Sequence, residues 1–182
     1  MIPIPPLDGS KIYPIPNLLT FIRFLLIPLF VYYFFYIPDG NIYAAIIFIL
    51  SGITDILDGY IARHFNQITK IGTLLDPLAD KLMILTVLTS LWIKDIIPFF
   101  IIIILLVKEM LMIIGALILY RRKDIAIPAN KYGKATTVLF YIAIIFSIFE
   151  WPYGFILMIA ALLLALIAFS FYAVEFYNKN QK

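Results

Sequence analysis

The sequence predicts an all-α integral membrane protein, with six transmembrane helices behind an interfacial N-terminal segment. Three observations carry that prediction. Of 182 residues, 64% are hydrophobic and only 14% charged, with a mean hydropathy of +1.03. A soluble domain carries about 25% charged residues, and a disordered chain is more polar still. The apolar residues fall in long runs separated by short polar breaks, each run long enough to cross hydrocarbon as a helix of about 20 residues. The period-two alternation of barrel strands about 10 residues long is absent.

The elements follow in order. Residues 1–16 are too Pro-rich and too short to span, and Pro14 and Pro16 suggest a segment lying at the interface. They lack the basic start and small-residue cleavage site of a signal peptide. The first span runs from Asn17, a natural N-cap, to Ile37, and stops at the turn Pro38-Asp39-Gly40. The second runs from Asn41 to about Arg63, the third from Gly72 to about Trp92, and the fourth from Ile96 to about Tyr120. The fifth covers Tyr132 to Phe149 and the sixth Pro152 to about Tyr177; both read as scaffold. Residues 17–182 thus form one six-helix membrane domain.

Six spans place both termini on one side. Twelve of the 14 Lys and Arg residues then fall on or near that side, Lys94 lies opposite and Lys108 within the fourth span. The positive-inside rule makes that side cytoplasmic, together with the 64–71 and 121–131 loops, so the expected location is the cell membrane. The absence of cysteine excludes disulfides, thiolate catalysis and Cys-ligated metals, and a single histidine, His64, excludes a multi-histidine site. His64 reads as a solvated or headgroup-facing residue, and the aromatic run at 30–36 as lipid-facing or interfacial.

Four aspartates stand out against the apolar background. Asp55 and Asp58 are three apart near the end of the second span, and Asp76 and Asp80 four apart near the start of the third. Each pair shares a helix face, and the short link makes the helices antiparallel neighbours, so four carboxylates can converge. Ionisable groups at membrane depth are functional candidates by default. Clustered carboxylates repel unless a cation neutralises them, and an all-oxygen set suits Mg²⁺ or Mn²⁺, with room for two ions. Such a pair suits phosphoryl transfer. Gly59, Ala62 and Gly72 leave space for a ligand to approach the backbone, while Arg63 and Lys70 offer charge to an anionic one. The same carboxylates would also serve a cation transporter, but the outer halves of these spans lack a polar path.

The run Asp55-Ile56-Leu57-Asp58-Gly59-Tyr60-Ile61-Ala62-Arg63, followed by Gly72, Asp76 and Asp80, resembles the CDP-alcohol phosphotransferase signature D-x2-D-G-x2-A-R-x8-G-x3-D-x3-D. All eight fixed positions are filled. Pro16-Asn17-Leu18-Leu19-Thr20-Phe21-Ile22-Arg23 resembles the family's lead-in to its first span. Asp76-Pro77-Leu78-Ala79-Asp80-Lys81 resembles the form found in phosphatidylglycerophosphate synthases and CMP-forming cardiolipin synthases. Near the N-terminus, Leu7-Asp8-Gly9 resembles a segment of site-2-type membrane proteases, but the H-E-x-x-H helix of those enzymes is missing.

The resemblance implies a six-helix bundle, a homodimer, and transfer of a phosphatidyl group from CDP-diacylglycerol to an alcohol with release of CMP. It implies metal ligation by Asp55, Asp58 and Asp76, with Asp80 reaching the metals and acting as general base. It places Asp58, Gly59, Ala62, Arg63 and Gly72 along the cytidine diphosphate, with Thr69 a weaker candidate; no nucleic acid is implied as a partner. Glycerol 3-phosphate is the expected acceptor, because Gly133-Lys134 with Thr136-Thr137 resembles a synthase segment. Lys134, Arg121 and Lys131 are the cations expected to hold its phosphate. The fourth span departs from the synthase pattern, offering Lys108-Glu109 and no arginine before Arg121, which keeps phosphatidylglycerol open as the acceptor. Adjacent residues project about 100° apart on a helix, so Lys108 and Glu109 are expected to pair elsewhere. Arg23, one to two turns into an apolar helix, needs an anionic partner or a snorkelling path.

Overall fold

A computed structural model describes residues 14–64, 72–121 and 131–180, with side chains over 18–61, 64, 75–111, 114 and 135–171. Every regular element among the described residues is an α-helix. These are α1 (Pro14–Tyr36), α2 (Asn41–His64), α3 (Gly72–Ile93), α4 (Phe99–Arg121), α5 (Lys131–Ile148) and α6 (Gly154–Asn180). Each lies within a few residues of its expected span. Pro14 and Pro16 fall in the first turn of α1, where proline is tolerated because the missing N–H has no intrahelical acceptor. The rest of the expected interfacial segment, residues 1–13, lies outside the described residues.

The chain divides into two compact units, Met1–Ser90 and Leu91–Lys182. In the first, α1 and α2 form an antiparallel hairpin. Its turn carries Pro38 in second position and Asp39 at φ 55°, closed by Gly40 N donating to Ile37 O at 3.0 Å. Gly40 is obligatory, since a Cβ there would stand 1.9 Å from Tyr33 O. Phe30 and Phe34 of α1 and Ala44, Ala45 and Phe48 of α2 are buried towards this end. Towards the other end the interior turns polar, with Thr20 and Arg23 of α1 and Ser51 and Asp58 of α2 buried. Each helix thus presents one face, apolar at the turn and polar at the opposite end. On α3, Ala79, Met83 and Val87 repeat every four residues as its buried stripe.

In the second unit α6 packs on α5 and, less extensively, on α4. Phe140, Ala143, Ile144 and Ile148 of α5 and Met158, Ala161, Leu162 and Ala165 of α6 are buried at helical spacing. A Cβ on Gly154 would lie 2.9 Å from Ser147 N, so the start of α6 abuts the α5 backbone. Helices α3 and α5 end in Schellman motifs. Asp95 and Glu150, at φ 58° and 54°, occupy the left-handed position that usually holds glycine. Ile96 N donates to Leu91 O at 2.9 Å and Trp151 N to Phe146 O at 3.0 Å. The Trp151 and Phe146 rings meet edge-on at 4.7 Å, the hydrophobic contact that usually accompanies this cap.

Among the described residues, three helical stretches, Leu18–Tyr36, Asn41–Ile61 and Gly154–Phe171, are long and apolar enough to cross a membrane. Helix α3 carries Asp76, Asp80 and Lys81, and the described apolar part of α5, Ala135–Ile148, is shorter. Large apolar side chains such as Leu18, Phe21, Leu25, Ile56, Met110 and Ile156 are exposed, as a lipid-facing surface requires.

Candidate active site

The polar end of the first unit is built on α1. Thr20 and Arg23 are three residues apart on one helix face and both are buried. Arg23 meets the carboxylates of α2. Its Nη1 lies 3.0 Å from Asp55 Oδ1, and its Nη2 lies 3.6 Å from Asp58 Oδ2. The same Nη1 donates to the backbone carbonyl of Asp76 on α3 at 3.1 Å. A helical carbonyl has a second lone pair to take such a donor. The Thr20 hydroxyl donates to Asp76 Oδ1 and stands 3.3 Å from Asp58 Oδ2. One turn of α1 therefore ties three motif aspartates from two helices to a single point.

Burial grades this cluster. The Arg23 side chain is fully buried, that of Asp58 is 2% exposed and that of Asp55 44% exposed. Asp76 and Asp80 are half-buried, one helical turn apart on α3. Arg23 thus sits at the closed end and Asp55 at the open end. Arg23 finds the anionic partners that its position in an apolar helix demanded. Thr20 is the residue that reading the motif missed; the available signal was a second polar side chain on the Arg23 face of an otherwise apolar helix.

The donor set suits a hard divalent ion. It is all oxygen, it carries more negative charge than one guanidinium neutralises, and Asp58 Oδ1 is buried with no hydrogen-bond partner. The arrangement itself, however, is organised about Arg23. Among the described residues no group of three or more His, Asp or Glu side chains is placed to enclose one ion.

Gly59 follows Asp58 and is half-buried. Ala62, Arg63 and Gly72 are placed as helical backbone only, and Thr69 and Lys70 lie outside the described residues. The side chains of Arg121, Lys131 and Lys134 also lie outside them. His64 is exposed at the end of α2, its ring stacked on Tyr60 at 5.4 Å and 8°. One expectation is corrected. Lys108 and Glu109 do pair with each other, Nζ to Oε1 at 2.7 Å. Their Cβ directions diverge, but two long half-buried side chains can bend together when the surroundings are apolar, because ion pairing there replaces lost hydration.

The family model for CDP-alcohol phosphatidyltransferases matches residues 13–167, which includes α1, the aspartate cluster and the first half of α6. The chain belongs to that family. Among relatives of this chain, a CMP-forming cardiolipin synthase of Streptomyces coelicolor is 36% identical over 132 residues, 70% of this chain and 61% of that one. A putative cardiolipin synthase of Mycobacterium tuberculosis is 35% identical over 138 residues, 76% of this chain and 66% of that one. The chain thus spans just under two thirds of the length of these two relatives. A CDP-diacylglycerol–glycerol-3-phosphate 3-phosphatidyltransferase of Aquifex aeolicus is 36% identical over 126 residues, 68% of this chain and 69% of that one.

Proposed function

We propose that this phosphatidyltransferase crosses the cell membrane six times with its aspartates at the cytoplasmic face. It transfers a phosphatidyl group from CDP-diacylglycerol to glycerol 3-phosphate as a homodimer. The observation that carries this reading is the gathering of motif aspartates from α2 and α3 at one buried point beside α1. Asp55, Asp58, Asp76 and Asp80 would hold two Mg²⁺ or Mn²⁺ ions, which would supply charge neutralisation for the diphosphate and for the departing CMP. Asp80 takes the proton of the acceptor hydroxyl as the new oxygen–phosphorus bond forms. The phosphorus–oxygen bond to the cytidylyl group breaks, and CMP leaves. Gly59, Ala62 and Gly72 leave the nucleotide room, Asp58 and Arg63 flank it with Thr69 nearby, and Lys134, Arg121 and Lys131 bind the acceptor phosphate.

A second acceptor is favoured by one observation. Helix α4 carries Lys108-Glu109 and no arginine before Arg121, and relatives bear cardiolipin synthase names as well as glycerol-3-phosphate transferase names. Phosphatidylglycerol is then the acceptor. The test is CMP release by the purified protein in detergent with CDP-diacylglycerol and Mg²⁺, with the two acceptors supplied separately. The proposal expects release with glycerol 3-phosphate and its loss on adding EDTA. Release with phosphatidylglycerol alone would establish the second reading, and release with neither would overturn both.

A further inference from the structure

We infer that Arg23 is the resident counter-cation of the aspartate cluster and competes with the divalent ions for the same carboxylates. The inference rests on the divalent-ion reading proposed above and deepens it, because it names what occupies the carboxylates before an ion arrives. Arg23 is fully buried, and its Nη1 spans Asp55 Oδ1 at 3.0 Å and the Asp76 carbonyl at 3.1 Å. Its Nη2 stands 3.6 Å from Asp58 Oδ2, inside ion-pair range but too far for a hydrogen bond.

The quality of these contacts argues against a purely structural lock. A guanidinium built to hold one carboxylate permanently does so bidentately, with two parallel hydrogen bonds. Here one nitrogen does the bonding, while Nε and Nη2 have no hydrogen-bond partner, and Asp58 Oδ1 across the cluster has none either. A buried network satisfied in part is held by charge more than by geometry, so it yields to a stronger cation. A divalent ion taking Asp55 and Asp58 would sit against the guanidinium and repel it. Ion and arginine therefore oppose each other. Arg23 lowers the cost of assembling three carboxylates without an ion, and it weakens ion binding by the same coupling. Thr20 is neutral and donates to Asp76 beside it.

The experiment uses the full-length protein in detergent with Mn²⁺ alone as the probe. Free Mn²⁺ is read by electron paramagnetic resonance, and melting temperature is read with and without the ion. In Arg23→Gln the Mn²⁺ dissociation constant is expected to fall about tenfold. Its ion-free melting temperature should drop below wild type, and Mn²⁺ should raise it by more than it raises wild type. Arg23→Lys keeps the charge but reaches a single carboxylate, so its Mn²⁺ affinity should tighten by about threefold. That variant decides the matter if Arg23→Gln does not fold. A purely structural arginine would lower both melting temperatures equally and leave Mn²⁺ affinity alone. Unchanged or weaker Mn²⁺ binding in the variants, with wild type binding normally, overturns the inference and spares the metal reading. No Mn²⁺ binding by wild type overturns the metal reading, and the inference falls with it.

Discussion

In Met1–Ser90 buried charge reaches across helices, whereas in Leu91–Lys182 the hydroxyls of Ser147 and Ser170 turn back on their own helix. Thr20 and Arg23 find their partners 32 to 56 positions away in the chain. In the second unit the described buried polar side chain is Ser147, whose hydroxyl donates to Ala143 O one turn earlier at 2.8 Å. An ion pair in this unit joins the neighbours Lys108 and Glu109. A hydroxyl satisfied within its own helix asks nothing of other helices. A buried guanidinium asks for carboxylates that only other helices supply. Both units bury comparable apolar stripes, so the difference lies in the buried charge that the first unit joins across its helices.

The contrast can be broken at several points. Asp80→Asn should reduce CMP release by about 10²–10⁴-fold, the range for loss of a general base, with the melting temperature unchanged. Retained turnover would remove Asp80 from that role. Asp58→Ala leaves Arg23 buried beside fewer carboxylates and should cost about 3–5 kcal/mol in detergent unfolding. Gly40→Ala drives a methyl into the Tyr33 carbonyl and should cost about 2 kcal/mol, seen as a lowered unfolding midpoint. Glu150→Gly relieves a left-handed backbone and should stabilise by about 0.5–1 kcal/mol, since glycine's freer unfolded chain offsets part of the gain. Ser147→Ala should stay within about 0.5 kcal/mol of wild type, because its partner carbonyl keeps its helical hydrogen bond.

Much of this architecture was legible in the chain. The starts of α2 at Asn41 and α3 at Gly72 were readable from turn residues, because Pro38-Asp39-Gly40 and the polar 64–71 link interrupt apolar periodicity sharply. The aspartates were legible because charge in an apolar helix is conspicuous. Thr20 was not, since a threonine is common enough in membrane helices to carry no signal alone. Its role appears only when α1 is laid against α2 and α3. Arg23 was legible as a need for an anion, but the identity of that anion is a tertiary fact. The Lys108–Glu109 pair was misread because angular projection describes Cβ directions, not the reach of flexible side chains.

Arg23 joins Asp55, Asp58 and Asp76 in one network, which therefore acts as a unit. The most direct test is a double-mutant cycle on Arg23→Met and Asp58→Leu, read by reversible unfolding of the full chain in mixed micelles. A coupling of about 1.5 kcal/mol or more is expected, with the double variant more stable than the sum of the singles implies. Additivity within about 0.5 kcal/mol would contradict the claim, and would leave the arginine and the aspartates as separate residents of one polar end.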